Sequence, residues 1–458
     1  MPAAPSTFSE AVAVLYRSFE AAGSPHGVSD RASREPEWAA RVLRELELLP
    51  VPYPVGIVAG SKGKGSTVRQ TVAPLVQMGF RVGWVISPHL VEYEERIRIN
   101  ERCIDPETFI SLVARVRPIL ERLQSEVVPG RYIGPHAGIL AVALQWFREE
   151  NVDFAVIEAG RGGRFDEVVC LGAPYAAIPT VLLEHRLELG PTVADVAAHK
   201  AGVLPHGGAA VVGPVGPTAR AVITREAVAR STRIDWYGKS VSVERNPESI
   251  TIRTPDAAYS GVRLGLVGEY QESNAAIAVR LAELLLRSRG LKLDPTAVID
   301  GLARVGSPGR LQEVRGDRVF LLDTAVHRSS LAPIETWIGE QRSRRRRIAL
   351  ALSTPTDKDW RGVALRLSPL ADHTIFCKPD NRPLVYNERQ IGRLAENLAG
   401  AEPTVILGAE AAIDRARELT QPDDAIALVG TQSFIAEALV ALGEDAGAFL
   451  APAARPRD

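Results

Sequence analysis

Short apolar runs alternate with longer amphipathic segments over the first three hundred residues of the chain. The runs YPVGIVAG, FRVGWVIS, VDFAVIEAG and PYAAIPTVLL have the length and β-branched content of buried strands. STVRQTVAPLVQMG and AGILAVALQWFREEN have helical periodicity instead. Because strands that alternate with helices are typical of parallel sheets with helical crossovers, we expect a mostly parallel α/β domain here.

The pattern changes near residue 207 and again near residue 301. From 207 to 265 the segments are short, β-rich and interrupted by Gly, Pro and Asn, which predicts a small antiparallel section. ESNAAIAVRLAELLLRSRG then predicts a helix that ends at Gly290, and GLARVGSPGRLQEV predicts a linker. Strand-like runs resume with VFLLDT, RIALALS, HTIFCK, PTVILG and DAIALVG. We therefore expect an N-terminal α/β domain over 1–300 and a second α/β, Rossmann-like domain over 301–458.

Composition and charge exclude several classes of protein. Of the 458 residues, 46% are hydrophobic and 24% charged, and the formal net charge of −1 gives no field that would attract nucleic acid or an acidic membrane. The three cysteines, Cys103, Cys170 and Cys377, lack the spacing of a disulfide framework or a thiolate metal site. Charges interrupt the apolar N-terminal segment, which favours an amphipathic helix over a signal peptide, and no apolar run is long enough to span a membrane. We expect a cytoplasmic protein that binds neither nucleic acid nor membrane.

The stretch GSKGKGS lies between the first predicted strand and the helix that follows it. It departs from the strict P-loop pattern, because a valine takes the place of the first glycine and Gly65 separates Lys64 from Ser66. The three glycines would nevertheless let backbone N–H groups face an anion at the helix N-terminus, where Lys64 would reach the outer phosphates. Ser66 or Thr67 would cap the helix or contact a metal ion. The alternative is a glycine-rich strand-to-helix turn with exposed lysines.

Further motifs follow in order along the chain. SPHL precedes ERIRINE, and then come IEAGRGGRFD, LLEHRLELG, HKAG, YQESNAA and SPGR. Together with GSKGKGS, this series resembles the folylpolyglutamate synthase and dihydrofolate synthase family of the Mur ligase superfamily, over nearly the whole chain. The resemblance implies an ATP- and Mg²⁺-dependent ligase, in which ATP phosphorylates a carboxylate and an amino acid attacks the acyl phosphate to form an amide. Folate and glutamate are the default substrates that the resemblance implies.

The resemblance also implies roles for individual residues. Those implied to bind the nucleotide are Gly60, Ser61, Lys62, Gly63, Lys64, Gly65, Ser66, Thr67, Asn274, Arg310 and Asp323. Those implied to hold magnesium are Ser66, Ser87, Glu158 and His185, and those implied to act in catalysis are Lys64, His185, Lys200 and Arg310. Lys200 matches a lysine that is carbamylated in the family. Glu158 has independent support, because it ends a predicted strand, where parallel sheets place ligands, and because Mg²⁺ prefers oxygen ligands.

Each of these residues also has an ordinary structural interpretation. Glu158 would be a capping or ion-paired carboxylate, and Ser87 would be a hydroxyl that caps the turn before a proline. His185 would be a packed imidazole bonded to backbone, Lys200 an ordinary helix-face lysine and Arg310 a partner in an interdomain salt bridge. The sequence alone leaves both sets of interpretations open.

Several departures from the family pattern concern the choice of substrates. DTAVHR replaces the pattern DGAHNP, so that Asp323 stays and His327 would replace the missing histidine by a one-residue shift. Lys62 adds a cation to the phosphate loop, Glu184 replaces an aspartate, and EVV replaces ATN after GGRFD. These changes leave three possibilities: a folate and glutamate ligase, the same chemistry on another acid and amine, or a non-catalytic nucleotide-binding paralogue that acts through a partner. We expect a monomer.

Overall fold

The computed structural model describes residues 5–23, 27–380 and 384–444. These residues form two compact units. Unit 1 consists of residues 5–23, 27–89 and 94–306, and unit 2 consists of residues 90–93, 307–380 and 384–444. The predicted domain ranges 1–300 and 301–458 thus include short segments outside the described residues. The change from unit 1 to unit 2 falls between Gly306 and Ser307.

Unit 1 is built on an eight-stranded sheet. Its strands are β1 (Val55–Val58), β2 (Val82–Val85), β3 (Ile97–Ile99), β4 (Arg102–Cys103), β5 (Phe154–Glu158), β6 (Tyr175–Ile178), β7 (Ala209–Val212) and β8 (Arg233–Trp236). They lie in the order β4-β3-β2-β5-β1-β6-β7-β8, in which β3 and β4 are antiparallel and the other six strands are parallel. The carboxyl ends of β5, β1 and β6 are therefore neighbours at one edge, where open parallel sheets bind ligands.

Helices of unit 1 accompany this sheet. Those within the described residues are α1 (Phe8–Ala21), α2 (Asp30–Ser33), α3 (Pro36–Glu45), α4 (Lys64–Gln77), α5 (Pro106–Gln124), α6 (Pro135–Glu149), α7 (Arg186–Leu189), α8 (Val193–Lys200), α9 (Pro217–Ala229), α10 (Tyr270–Arg287) and α11 (Pro295–Arg304). The amphipathic N-terminal helix is present as α1. Val72 of α4 and Leu281 of α10 belong to one fully buried apolar cluster with Trp84 of β2. This packing fixes α4, and with it the end of the glycine-rich loop, against the sheet.

The antiparallel section of unit 1 is smaller than the sequence predicts. It consists of β9 (Ser242–Arg245), β10 (Ile250–Arg253) and β11 (Ala258–Val262), in the order β11-β10-β9. The prediction of an antiparallel section over 207–265 is wrong for β7 and β8, which are parallel strands of the large sheet. Every residue of β7 is buried, as expected of an interior parallel strand.

Unit 2 contains a six-stranded sheet. Its strands are β12 (Gln312–Arg315), β13 (Val319–Asp323), β14 (Ile348–Ser353), β15 (His373–Lys378), β16 (Ala401–Leu407) and β17 (Ala425–Gly430), and its helices within the described residues are α12 (Ala332–Ser343), α13 (Trp360–Leu367), α14 (Glu388–Ala395), α15 (Ala409–Glu418) and α16 (Gln432–Ala441). The strand order is β12-β13-β17-β14-β15-β16, and β12 alone is antiparallel to its neighbour. The predicted fold class, with a second α/β unit, is confirmed.

The predicted linker GLARVGSPGRLQEV is only partly irregular. Helix α11 continues to Arg304, and β12 begins at Gln312. The irregular part is therefore shorter than the glycines and proline of the segment indicate. In the part of the chain that the structure describes, no helix has the length and apolarity needed to cross a membrane.

Candidate functional site

The glycine-rich stretch connects β1 to α4. β1 ends at Val58, and α4 begins at Lys64. Between them, Gly60 lies so close to Pro179 that a Cβ would be 3.2 Å from the proline ring. Gly63 has a φ of +82°, which strains any other residue, and as the N-cap residue it offers no side chain to cap the helix. The unpaired amides of the first turn of α4 are therefore available to an anion.

The first part of this loop is fixed to the segment that follows β6. The Oγ1 atom of Thr180 accepts a hydrogen bond from the Lys62 amide at 2.9 Å and donates one to the Lys62 carbonyl at 2.9 Å. The Ser61 amide donates to the Thr180 carbonyl at 2.9 Å, and Ser61 Oγ accepts from the Leu182 amide at 2.9 Å. The amides of Ser61 and Lys62 thus hold the loop in place instead of facing an anion. Sequence reasoning did not identify Thr180, since a single threonine after a strand carries no motif.

Glu158 ends β5, beside β1 in the sheet. Glu158 is 3% exposed, its Oε1 atom lies 3.8 Å from Lys64 Nζ, and its Oε2 atom accepts a hydrogen bond from the Ser87 amide at 3.1 Å. A Cβ on Gly65 would be 3.4 Å from the same Oε2 atom. Burial raises the pKa of Glu158, while Lys64 and the Ser87 amide act in the opposite direction. The structure therefore brings Lys64, Glu158 and Ser87 together at the start of α4, with Glu158 ion-paired to Lys64.

Lys200 and Glu184 form a second, more buried ion pair in unit 1. Lys200 ends α8, is 1% exposed, and places its Nζ atom 2.8 Å from Glu184 Oε1. Burial lowers the pKa of Lys200, whereas the Glu184 carboxylate raises it. His185 follows Glu184 in a left-handed conformation (φ +46°) and is only partly exposed, and the burial of part of its ring lowers its pKa. Lys200 is thus no ordinary helix-face lysine, and His185 is no packed imidazole.

A chain of amide side chains connects α10 to the phosphate loop. Gln271 Nε2 donates to Ser66 Oγ at 3.3 Å, and Gln271 Oε1 accepts from Asn274 Nδ2 at 3.0 Å and from Gln70 Nε2 at 3.2 Å. Asn274 is 2% exposed, and a Cβ on Gly63 would lie 2.6 Å from its Oδ1 atom. Asn274 therefore packs against the phosphate loop, and its contact with adenine stays a prediction.

The surroundings of Thr67 and Ser87, two further predicted site residues of unit 1, do not test their predicted roles. Thr67 is fully buried in α4, and its hydroxyl has no hydrogen-bond partner among the described residues. Ser87 contacts Glu158 through its backbone amide and not through its hydroxyl. The nucleotide or metal contacts of these two residues stay predictions.

In unit 2, the positive charge of Arg310 acts on the carboxylate of Asp323. Asp323 ends β13, is 7% exposed, and accepts a hydrogen bond from the Leu311 amide at 2.9 Å. Burial raises the pKa of Asp323, and the guanidinium of Arg310 opposes that rise. Arg310 itself is exposed. The exposure of Arg310 leaves it able to meet a phosphate, and both this role and the alternative of an interdomain salt bridge stay predictions.

The altered segment DTAVHR has its own contacts within unit 2. His327 is exposed, with Nδ1 2.8 Å from Ser329 Oγ and Nε2 3.7 Å from Asp359 Oδ2. Arg328 donates to both carboxylate oxygens of Asp359, at 2.7 and 2.6 Å, and these bonds hold the pKa of Asp359 below its ordinary value. The segment is therefore anchored to Asp359, which lies 31 positions further along the chain than Arg328. Replacement of the missing histidine by His327 stays a prediction.

The donor atoms around Glu158 fit a magnesium ion that is bound together with a nucleotide. Across residues 5–23, 27–380 and 384–444, no three His, Cys, Asp or Glu side chains are grouped to hold a metal ion. The neighbourhood offers the Glu158 carboxylate and, at the start of α4, the Ser66 hydroxyl. Mg²⁺ takes hard oxygen ligands, keeps several waters and commonly binds through one or two carboxylates and substrate phosphates, so it does not need a larger protein cluster.

Comparisons with known proteins give relatives of one kind. No protein-family model matches the chain. A probable bifunctional folylpolyglutamate synthase/dihydropteroate synthase of Haloferax volcanii is 33% identical over 396 residues, which cover 83% of this chain and 45% of that protein. The chain thus spans about half the length of that relative. A folylpolyglutamate synthase of Lacticaseibacillus casei is 29% identical over 347 residues, covering 74% of this chain and 80% of the relative.

Solved structures with the same names share the fold. A Mycobacterium tuberculosis folylpolyglutamate synthase complexed with ADP and AMPPCP is 25% identical, with a TM-score of 0.76 over 95% of this chain and 99% of that one. A folylpolyglutamate synthase of Thermotoga maritima is 22% identical, with a TM-score of 0.80 over 95% and 97% of the two chains. The likeness extends over both units of the described chain.

Proposed function

Because the chain belongs to the folylpolyglutamate synthase and dihydrofolate synthase family of the Mur ligase superfamily, we propose that it is an ATP-dependent ligase that joins a carboxylic acid to an amino acid. A carboxylate oxygen of the acid attacks the γ-phosphorus of ATP, which gives an acyl phosphate and ADP. The amine nitrogen then attacks the acyl carbon, phosphate leaves, and the nitrogen loses a proton. The products are an amide, ADP and phosphate.

The chemical difficulty of this reaction is that two anions must approach each other. The first-turn amides of α4 and the Lys64 ammonium supply positive charge at one place, where they would neutralise phosphate oxygens and hold the γ-phosphorus in line. Thr180 holds the preceding part of the loop, and Asn274 and Gln271 hold its far side. These bonds are made within the chain itself, as a preorganised electrostatic site requires.

Glu158 and Ser66 would hold Mg²⁺ at the phosphates, with Ser87 and His185 as the other ligands that the family resemblance implies. When it is bound, the ion supplies charge neutralisation between the nucleotide and the attacking carboxylate. Within the chain, the Lys64 ammonium and the Ser87 amide favour the charged carboxylate that a divalent cation needs, and they oppose the rise in the pKa of Glu158 that burial causes. Arg310 is assigned to a phosphate and Asp323 to the ribose, and both assignments rest on the resemblance.

Folate and glutamate are the substrates that the names of the relatives favour. A second candidate, the same chemistry on another acid and amine, is favoured by DTAVHR, in which His327 and Arg328 lie against Asp359. Losing or gaining one buried polar contact changes discrimination between substrates by up to about 10⁴-fold. We assign the protein to the cytoplasm and expect a monomer.

The observation that carries the proposal is the meeting of Lys64, Glu158 and the open first turn of α4 at the carboxyl edge of the sheet. The test is ADP release measured over a panel of folates, other carboxylic acids and amino acids, with Lys64→Ala as the control. Release that needs both an acid and an amine supports the ligase, and the active pair identifies the substrates. Tight nucleotide binding without release on any pair would instead favour a non-catalytic paralogue.

A further inference from the structure

Among the described residues, no carboxylate is bonded to Arg69, a buried cation on the helix that begins at the phosphate loop. Arg69 is 8% exposed, its guanidinium carbon lies 5.6 Å from the centre of the Trp84 ring, and its Nη1 atom has no hydrogen-bond partner in the described part of the chain. Burial and the nearby charge of Arg98 lower its pKa to about 10, so that Arg69 is still charged at pH 7. A buried charge without a partner destabilises the folded state, and a local cost of this kind is common at functional sites.

The position of Arg69 brings it below Glu158 on one face of the sheet. Trp84 of β2 pairs with Val156 of β5, and Glu158 follows Val156 by two residues, so the side chains of Trp84 and Glu158 project from the same face. Arg69 lies one helical turn after Gly65, where a Cβ would be 3.4 Å from Glu158 Oε2. Because helical side chains lean toward the N-terminus of their helix, that of Arg69 extends toward Glu158. The charges of the two residues accordingly act on each other.

Other cations also act on the Glu158 carboxylate, but each has another task. Lys64 has the strongest effect, and Arg69 comes next among the cations, ahead of Arg96. Lys64 is assigned to the nucleotide phosphates, and the Nε atom of Arg96 donates a hydrogen bond to His89 Nδ1 at 2.9 Å. Glu158 is buried, so it would be a stranded anion after Lys64 left it unless another cation remained. Arg69 is placed to be that cation.

We propose that Arg69 is a positioning residue, whose charge stays with Glu158 when Lys64 turns to the phosphates of a bound nucleotide. Lys64 Nζ lies 3.8 Å from Glu158 Oε1, so the ammonium has to give up this contact to serve a phosphate fully. The Ser87 amide and Arg69 then hold the carboxylate. When Mg²⁺ is bound, the ion itself supplies a counter-charge to Glu158, so Arg69 contributes most while the nucleotide is bound without the metal. This inference rests on the proposed function, because it takes nucleotide binding at the loop as its premise.

The test is ADP binding by the full chain, measured by calorimetry in EDTA and again in Mg²⁺. Arg69→Met keeps most of the length of the side chain and removes its charge, so Lys64 can leave Glu158 only by stranding a buried carboxylate. We expect ADP affinity to fall by about tenfold in EDTA and by a smaller factor in Mg²⁺, where the ion replaces the lost counter-charge. Arg69→Lys keeps the charge and should bind ADP in EDTA more tightly than Arg69→Met. Unchanged affinity in EDTA, or an equal loss in both buffers, would overturn the inference.

A double variant tests whether Arg69 acts through Glu158. In a Glu158→Gln background, Lys64 has no anion to leave, so Arg69→Met should no longer weaken ADP binding in EDTA. An undiminished loss in that background would show that Arg69 acts in another way and would refute the positioning role. Failure of the wild type to bind ADP at all would refute the proposed function and this inference together, whereas binding that Arg69→Met does not weaken would refute the inference alone.

Arg98 provides a matched control for a purely structural role. Its guanidinium carbon lies 5.3 Å from the centre of the same Trp84 ring, but its Nε and Nη1 atoms donate to the backbone carbonyls of Glu95 and Glu101. Arg98→Met therefore leaves buried acceptors unpaired and should lower the urea midpoint of unfolding more than Arg69→Met does, with ADP affinity unchanged. The reverse order of the two midpoints would show that Arg69 holds the fold together and would contradict the inference.

Discussion

Replacement of Gly63 by alanine tests whether Asn274 packs against the phosphate loop. At a φ of +82°, the left-handed conformation alone costs about 1–2 kcal/mol for an L-residue. The new Cβ would also lie 2.6 Å from Asn274 Oδ1, well inside normal contact, and Asn274 is buried and bonded to Gln271, so it cannot swing away. Overpacking of this kind costs about 1–3 kcal/mol. We therefore expect Gly63→Ala to lower the free energy of unfolding by about 2–5 kcal/mol, measured by urea denaturation with circular dichroism.

The same helix offers a matched control. Gly79 follows the end of α4 with a φ of +84°, and a Cβ there has no neighbour within 4 Å. Gly79→Ala should therefore show the conformational cost alone, and the two variants should differ by the contact with Asn274. In an Asn274→Ala background, the cost of Gly63→Ala should fall to that of Gly79→Ala. Equal costs for the two glycines in the wild-type background would refute the packing of Asn274 on the loop.

Other variants test separate parts of the site. Lys64→Ala should reduce ADP release by about 10²–10³-fold with an unchanged far-UV circular dichroism spectrum, because it removes a cation positioned for phosphate oxygens; normal release would show that this role is wrong. Since burial raises the pKa of Glu158, the folded state binds this proton more tightly than the unfolded chain, and stability falls as the pH rises from the ordinary value of 4.5 through the raised pKa. At pH 7, the free energy of unfolding of Glu158→Gln should therefore be at least as large as that of the wild type, while Mg²⁺-dependent ADP release should be lost. A smaller free energy of unfolding would contradict the raised pKa of Glu158. Thr180→Val removes two hydrogen bonds to the Lys62 backbone and should lower the free energy of unfolding in urea by about 2 kcal/mol. An unchanged free energy of unfolding would show that these bonds do not hold the loop. Arg310→Ala should reduce kcat by a larger factor than it reduces the affinity for ADP, which calorimetry measures. A larger loss of ADP affinity than of kcat would assign Arg310 to ground-state nucleotide binding instead.

The strands were predictable wherever an apolar run is buried on both faces. VFLLDT and DAIALVG correspond to β13 and β17, and VDFAVIEAG to β5, because interior parallel strands consist of continuous apolar residues. Apolar periodicity does not reveal which strand a segment pairs with, so β7 and β8 were placed in the wrong sheet. Helix α9 was missed for a related reason: its buried alanines and aliphatic residues are interspersed with charges, and glycines and a proline precede it.

The candidate site was predictable as far as its residues belong to local motifs. Lys64 follows from the loop, and Glu158 follows from its place at a strand end. The bonds that hold the loop join residues that are far apart in the chain: Lys62 and Thr180 are separated by 118 positions, and Ser66 and Gln271 by 205. The Lys200–Glu184 pair likewise depends on the length of a side chain and on burial. No spacing rule contains this information, because it arises when β1, β6 and α10 pack together.

The most direct measurement follows the carboxylate oxygen of the acid. If the acid of the active pair carries ¹⁸O in its carboxylate, attack on the γ-phosphorus transfers one labelled oxygen to the phosphate that is later released. Mass spectrometry of that phosphate after turnover with ATP and the amine should show one ¹⁸O per phosphate, and Lys64→Ala should form it far more slowly. Phosphate that is released during amide formation without any label would show that no acyl phosphate forms and would contradict the account.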